Sequence, residues 1–102
     1  MDMQKMLKQA KKIQAQLADV QDGLKDVVVE ATAGGGMVKA TMTGDGTLTG
    51  IAIDPAALDP EDVELLQDMI VAAVNEASNN ATQVANQRMG AITGGFNIPG
   101  IF

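Results

Sequence analysis

Apolar residues recur at alternating spacings of three and four through the first quarter of the chain, the pattern of a helix with one apolar face. The positions are Met3, Met6, Ala10, Ile13, Leu17, Val20 and Leu24. Over three heptads, this spacing also suits a seam that packs against another helix. We therefore predict helix 1 over residues 1–23, with Gly23 as its first expected interruption.

Between residues 27 and 53 the pattern changes to short runs of strand-forming residues separated by turns. Three glycines at 34–36 and the segment 44–46 separate the runs, and Ile51 and Ile53 share one face because side chains alternate along a strand. We predict a three-stranded antiparallel sheet. The glycine run lacks the lysine and hydroxyl residue of a phosphate-binding loop, so we interpret it as a plain turn.

A second, longer helix is predicted over residues 59–90. Asp59 and Pro60 form a helix-start signal, and acids follow near the positive end of the helix dipole. The spacing of three and four resumes at Val63, Leu66, Ile70, Ala73, Ala77, Ala81 and Val84. At about 45 Å this helix would overhang a small sheet, so helix 1 or a second chain must cover its apolar stripe. Residues 91–102, rich in glycine, are predicted to form a flexible tail.

Composition removes several classes of chemistry. The chain of 102 residues has no histidine and no cysteine, which excludes imidazole and thiol catalysis, disulfides and most transition-metal sites. Helix-start capping explains the acids after Asp59, which lack EF-hand spacing. We therefore predict no catalytic residue, cofactor, metal or small-molecule substrate. No apolar run is long enough to span a membrane, so a cytoplasmic protein is expected.

Charge is distributed unevenly along the chain. The net charge of −6 argues against a surface that attracts nucleic acid everywhere. Six acids occupy one segment without a base: Asp59, Glu61, Asp62, Glu64, Asp68 and Glu76. Residues 1–18, in contrast, carry four lysines against Asp2, and the only charged side chain after Glu76 is Arg88. The charges of opposite sign are thus segregated.

The four lysines of helix 1 share one side of the helix. Lys5, Lys8, Lys11 and Lys12 fall within a sector of roughly 120°, opposite the apolar seam. Such a sector can be a solvated face or an anion-binding face. Like charges at these spacings destabilise a helix by about 0.2–0.5 kcal/mol each, and an anionic partner would relieve that repulsion. We take these lysines, with Arg88, as candidate DNA contacts. With Phe96 and Phe102 as the sole aromatics, a duplex suits the chain better than a single strand.

The methionines of the two helices add a further expectation. Met3, Met6 and Met69 occupy apolar helical positions and are expected to fill the core; the alternative is that the seven methionines form an adaptable binding groove.

Several blocks of residues, in their order and spacing, resemble the YbaB/EbfC family of bacterial nucleoid-associated proteins. The first comprises Gly34, Gly36, Met37, Val38, Lys39 and Thr41 through Gly44, then Ile51, Ile53, Asp54, Pro55 and Leu58. The next comprises Asp62, Glu64, Leu65, Asp68, Ile70, Ala72, Ala73, Asn75, Glu76 and Ala77, and the tail adds Gly94, Gly95, Phe96, Ile98, Pro99 and Gly100. The resemblance covers nearly the whole chain.

The resemblance implies one α+β domain over residues 1–102, assembled as a homodimer whose sheet is joined across the interface and whose helices project as arms. It implies binding of double-stranded DNA with low sequence specificity, at the nucleoid, with a role in nucleoid organisation and gene regulation. Joining the sheets would also protect an exposed strand edge from aggregation.

The far half of helix 2 departs from the family pattern, because amides and hydroxyls stand where many relatives have lysine and arginine. These residues are Ser78, Asn79, Asn80, Thr82, Gln83, Asn86 and Gln87. Helix 1 is therefore expected to supply most of the attraction for phosphate. The alternative is a dimeric protein–protein interaction module without direct DNA binding, which the overall acidity favours.

Overall fold

The computed structural model describes residues 2–93, and its elements follow the predicted order. They are α1 (Met3–Leu24), β1 (Val28–Ala33), β2 (Val38–Thr43), β3 (Leu48–Ile53), a short 3-10 helix (Pro55–Ala57) and α2 (Val63–Thr93). The sheet has the order β1-β2-β3, and both pairs are antiparallel. The predicted α+β architecture is confirmed. From residue 94 onward, the predicted tail lies outside the described residues.

Helix α1 begins and ends close to the predicted bounds. The Asp2 carboxylate accepts a hydrogen bond from the Gln4 N–H at 3.1 Å and so caps the first turn. Gly23 is accommodated inside the helix, which ends at Leu24. The chain then turns into β1, and the Gly44 N–H donates to the Val27 carbonyl at 2.9 Å. The result is a helix of about 33 Å joined directly to the sheet.

The predicted bounds of helix 2, residues 59–90, are wrong at both ends. The Asp59 carboxylate accepts from the Glu61 N–H at 2.9 Å and closes a separate turn. Asp62 caps α2 instead, accepting from the Leu65 N–H at 3.3 Å, so the helix starts at Val63. Gly90 lies within the helix, because a single glycine costs only about 1 kcal/mol and does not by itself end a helix.

The core forms where α2 lies over β1 and β2. Strand residues on one face of the sheet meet a stripe of alanines that recurs every fourth position on α2. The buried set is Val29, Ala31, Val38, Ala40, Met42, Ala73, Ala77 and Ala81. Because alanine side chains are short, the helix backbone can approach the strands closely. Met69 packs against this core, as expected.

Strand β3 lies mostly outside that contact, and of its residues only Ile53 packs against the core. The register pairs Ala40 with Ile51 and Met42 with Leu48, so these β3 residues face the same side as the buried residues of β2. Even so, Leu48 is 44% exposed and Ile51 is 37% exposed. At the opposite edge of the sheet, the Asn80 amide donates to the Glu30 carbonyl at 3.2 Å and ties α2 to β1. The helix is thus displaced toward β1, and β3 forms a free edge with uncovered apolar side chains.

The end of α2 runs beyond the sheet and lies antiparallel to α1. Leu24 of α1 lines one groove with Ala81 and Ala85, and Ile13 lines another with Ile92. The molecule measures 70 × 27 × 16 Å, with a radius of gyration of 19.6 Å. A compact domain of this length would have about 13 Å. The helix pair therefore projects from the sheet as an arm.

The glycines at 34–36 form the turn between β1 and β2. All three have φ between 64° and 93°, a region that side chains rarely adopt. A Cβ on Gly34 would also collide with the side chain of Met69 on α2. The interpretation of this run as a plain turn agrees with its geometry.

The alanine stripe gives a stability prediction. Replacement of Ala77 by leucine would force α2 away from the sheet, and we expect the free energy of unfolding to fall by about 1–3 kcal/mol. The matched control is Ala72→Leu, on the exposed side of the same helix, which should change it by less than about 0.5 kcal/mol. Urea unfolding followed by circular dichroism measures both. Equal effects of the two substitutions would contradict this packing of α2 on the sheet.

Candidate nucleic-acid interface

The first three turns of α1 present the candidate lysines to solvent. Lys5, Lys8, Lys11 and Lys12 are all exposed, and the helical rise spreads the set over about 10 Å. The last turn of α2 lies beside Ile13, where Ala91 and Ile92 line a groove with it. Residues 3–12 of α1 therefore form the outermost part of the arm. We call this segment the α1 tip.

Salt bridges divide the lysines of the described chain into two groups. Lys25 Nζ lies 3.1 Å from Asp22 Oδ1, and Lys39 Nζ lies 3.8 Å from Glu30 Oε1. The hydrogen bond with the Asp22 carboxylate raises the pKa of Lys25 above its usual value. Within residues 2–93, none of the α1-tip lysines has a carboxylate oxygen within 4.0 Å. These four ammonium groups therefore lack a counterion from the described chain.

Residues 2–12 carry four lysines against one acid, Asp2, so the local charge of the α1 tip is positive. Lys8 lies three or four residues from Lys5, Lys11 and Lys12, so the ammonium groups repel one another along one side of the helix. The first turn contains no acid, although the Asp2 carboxylate caps it. A positively charged cluster next to the positive end of a helix dipole is more stable when an anion binds there.

The acids of the segment 59–68 lie far from this cluster. The segment 59–68 leads into α2 and forms its first turns, at the end opposite to the α1 tip. From Leu66 to Ile92 the helix rises about 39 Å. The Debye length at physiological ionic strength is about 8 Å, so these acids do not cancel the field at the lysines. The net charge of the molecule is therefore a poor guide to its local electrostatics.

Arg88 lies on the same arm. It is exposed and precedes Ile92 by one helical turn, so both residues occupy one side of α2. Because Ile92 lies next to α1, the structure brings Arg88 to the same half of the molecule as the lysines.

The seven amide and hydroxyl residues that depart from the family pattern in the far half of α2 divide into one structural residue and a solvated set. Asn80 is half-buried and bonds to the Glu30 carbonyl, so its amide holds α2 on the sheet. The others are exposed: Ser78, Asn79, Thr82, Gln83, Asn86 and Gln87. They could supply hydrogen bonds to a phosphate but no charge.

Sequence reasoning missed an apolar surface on the α1 tip. Met3 is 74% exposed, Met6 53% and Leu7 59%. The expectation that Met3 and Met6 fill the core is wrong, since both are exposed and the last described turn of α2 shares a groove with α1 only from Gln9 to Gln16. Farther along the seam, burial increases until Leu24 is fully packed. The signal that could have shown this exposure is the extent of the apolar seam on helix 1, which runs farther than helix 2 extends alongside it.

A groove of about 480 Å³ separates the end of α1, the turn between β2 and β3, and α2. Ser78, Thr82 and Lys25 contribute polar groups to it, as does Asp45. A hydrogen bond from the Thr43 hydroxyl lowers the pKa of the Asp45 carboxyl.

Residues 2–93 hold no group of three histidine, cysteine or acidic side chains that could bind a metal. Neither described helix combines the length and hydrophobicity of a membrane span.

Curated proteins from several bacteria are similar to this chain over almost its full length. A protein of Pelotomaculum thermopropionicum is 50% identical over 99% of this chain and 96% of its own. One of Moorella thermoacetica is 52% identical over 97% and 95%, and one of Streptomyces avermitilis is 48% identical over 98% and 91%. Each of these relatives is named a nucleoid-associated protein.

A solved structure shares the fold. The crystal structure of an uncharacterized protein from Helicobacter pylori matches 85% of this chain and 91% of its own, with a TM-score of 0.75 and 24% sequence identity. The model of the YbaB/EbfC DNA-binding family matches residues 1–96, which confirms the resemblance noted in the sequence. The chain belongs to the YbaB/EbfC DNA-binding family.

Proposed function

We propose that this protein binds double-stranded DNA with low sequence specificity as a homodimer, using Lys5, Lys8, Lys11 and Lys12, with Arg88 adding to the same arm. The observation that supports this most strongly is the set of four exposed lysines without a counterion among the described residues, far from the acids of the segment 59–68. The relatives' name, nucleoid-associated protein, supports a place in the cytoplasm at the nucleoid and a role in nucleoid organisation and gene regulation.

The chemistry of the α1 tip suits contacts with phosphate rather than with bases. Each lysine that neutralises a phosphate releases counterions, and this release is the main source of non-specific affinity for DNA. A lysine ammonium acts as a point charge and lacks the planar fork with which arginine recognises guanine. Residues 3–24 contain no arginine, which accounts for the low sequence discrimination that we propose.

The free edge of the sheet supports the proposed dimer. If β3 pairs with β3 of a second copy around a two-fold axis, two three-stranded sheets become one sheet of six strands. This pairing would satisfy the open backbone groups of the edge and cover Leu48 and Ile51, which α2 leaves exposed. Each dimer would then carry two α1 tips, and DNA contact by both would strengthen binding through effective concentration.

The DNA contacts are tested by paired lysine substitutions. We expect Lys8→Gln with Lys12→Gln to weaken binding to all duplex sequences alike. Removal of each lysine–phosphate pair should reduce the slope of log affinity against log salt by about 0.9, because fewer counterions are released. Fluorescence anisotropy with random duplexes between about 50 and 200 mM salt measures affinity and slope together.

Lys25→Gln with Lys39→Gln is the matched control, because it removes the same charge from lysines that already have carboxylate partners. It should leave the slope unchanged. Equal weakening by both pairs would contradict the proposed site. If the unaltered protein raises the anisotropy of no duplex, DNA binding is refuted and the interaction module becomes the better interpretation.

The dimer is tested at the free edge. Ile51→Lys places a charge in the apolar strip of β3, and we expect the protein to become monomeric while keeping its circular dichroism spectrum, because the site is already 37% exposed within one chain. Sedimentation equilibrium measures the mass. Thr32→Lys, at an exposed position on β1, is the control and should leave the dimer intact. A dimer that survives Ile51→Lys would rule out pairing through β3.

A further inference from the structure

A shallow apolar groove lies at the end of the molecule opposite to the α1 tip. It has a volume of about 230 Å³ and is lined by Leu58, Asp59, Pro60, Val63 and Leu66. Leu58 is 58% exposed and Val63 is 50% exposed, and the neighbouring Leu65 is 53% exposed. Apolar side chains so grouped on a surface are typical of a contact site. We call this the α2 groove.

Acidic side chains lie in the α2 groove and on the turn beside it. Asp59 lines it, and Glu61, Asp62 and Glu64 are exposed on the adjoining turn. Within residues 2–93, no lysine or arginine nitrogen lies within 4.0 Å of these carboxylates. The groove thus combines an apolar floor with a negative rim that lacks cations from the described chain.

The α1 tip has the complementary composition. Its exposed apolar residues, Met3, Met6 and Leu7, occupy the same turns of α1 as the lysines, and Leu7 lies between the apolar seam and the lysine sector. Methionine is unbranched and flexible, so it adapts to a shallow apolar surface. Lysine and carboxylate groups around such a contact would set its orientation and accelerate encounter.

One molecule cannot make this contact with itself. The α1 tip lies beside the last turn of α2, and the groove lies at its first turn, about 39 Å away along the helix. The contact would therefore join two molecules through different surfaces. A heterologous contact of this kind gives an open chain unless its rotation closes a ring.

We propose that the α1 tip of one copy docks in the α2 groove of another, linking molecules head to tail. The apolar groups supply the buried surface, and the lysines pair with the acidic rim. This link is separate from the proposed pairing of β3 strands. As a consequence that rests on the proposed function, DNA would compete for it, because phosphates and the acidic rim would bind the same lysines.

Sedimentation velocity on the full chain without DNA tests the link. We expect larger species at roughly 20 mM salt than at about 300 mM, because the higher salt concentration shortens the screening length and so weakens the pairs between lysines and acids. Lys5→Glu with Lys8→Glu should abolish these species, and so should Glu61→Lys with Glu64→Lys. Asp59 and Asp62 are left unaltered because they hold the turn and the start of α2.

An equal mixture of the two charge-reversed proteins should restore the larger species, since the reversed tip of one then faces the reversed groove of the other. No general effect of net charge gives this rescue. Failure of the mixture, or the absence of larger species in the unaltered protein at low salt, would overturn the inference.

The apolar part of the contact has its own test at constant net charge. Met6→Gln with Leu7→Gln should weaken association by about tenfold. Val71→Gln is the control, because Val71 is 58% exposed on α2 outside both surfaces, and it should have no effect. Equal effects of tip and control substitutions would contradict docking by the tip.

Adding duplex DNA separates this inference from the proposed function. Larger species that dissociate as DNA binds support both the head-to-tail link and the proposed function. DNA binding by a protein that forms no species larger than the dimer would refute the head-to-tail link alone, whereas larger species without DNA binding would refute the proposed DNA binding alone.

Discussion

The contact between the alanine stripe of α2 and the strands β1 and β2 determines the rest of the architecture. Ala73, Ala77 and Ala81 let the helix lie close to the sheet, and the hydrogen bond from Asn80 fixes it on the β1 side. Two consequences follow from that placement. The helix leaves Leu48 and Ile51 of β3 exposed, and its later turns run beyond the sheet to support α1. The position of α2 over β1 and β2 thus determines which surfaces are available for association.

The same placement explains how an acidic protein can carry a cationic site. Because α1 returns antiparallel along α2, its lysines lie at the end of α2 that has no acids, and the acids gather about 39 Å away. Screening by salt makes these two regions electrostatically independent. A folded chain that ran α1 parallel to α2 would instead place the lysines beside the acids and neutralise them.

Local patterns predicted the elements because their signals are short-range. The spacing of apolar residues identified both helices, and the glycine turns identified three strands. The start of α2 was misplaced because Asp59 and Asp62 are both good capping residues, and only the folded backbone decides between them. The exposure of Met3 and Met6 could not be predicted from their spacing, since it depends on how far a distant helix extends. The sequence was enough to identify the candidate lysines as one group. Only the structure shows that no carboxylate of the described residues pairs with them.

If both proposed associations occur, the three exposed surfaces have different consequences for assembly. Pairing of β3 with itself is isologous and closes after two copies, so it sets a unit with two tips and two grooves. Docking of a tip in a groove is heterologous and can continue from unit to unit. The tip lysines can bind either DNA phosphates or the acidic rim of a neighbouring molecule. Head-to-tail association and DNA binding therefore compete for the same lysines. A cell could then hold the protein in a self-associated form that nucleic acid disassembles, with the β3 pairing unaffected because it contains no lysine of the tip.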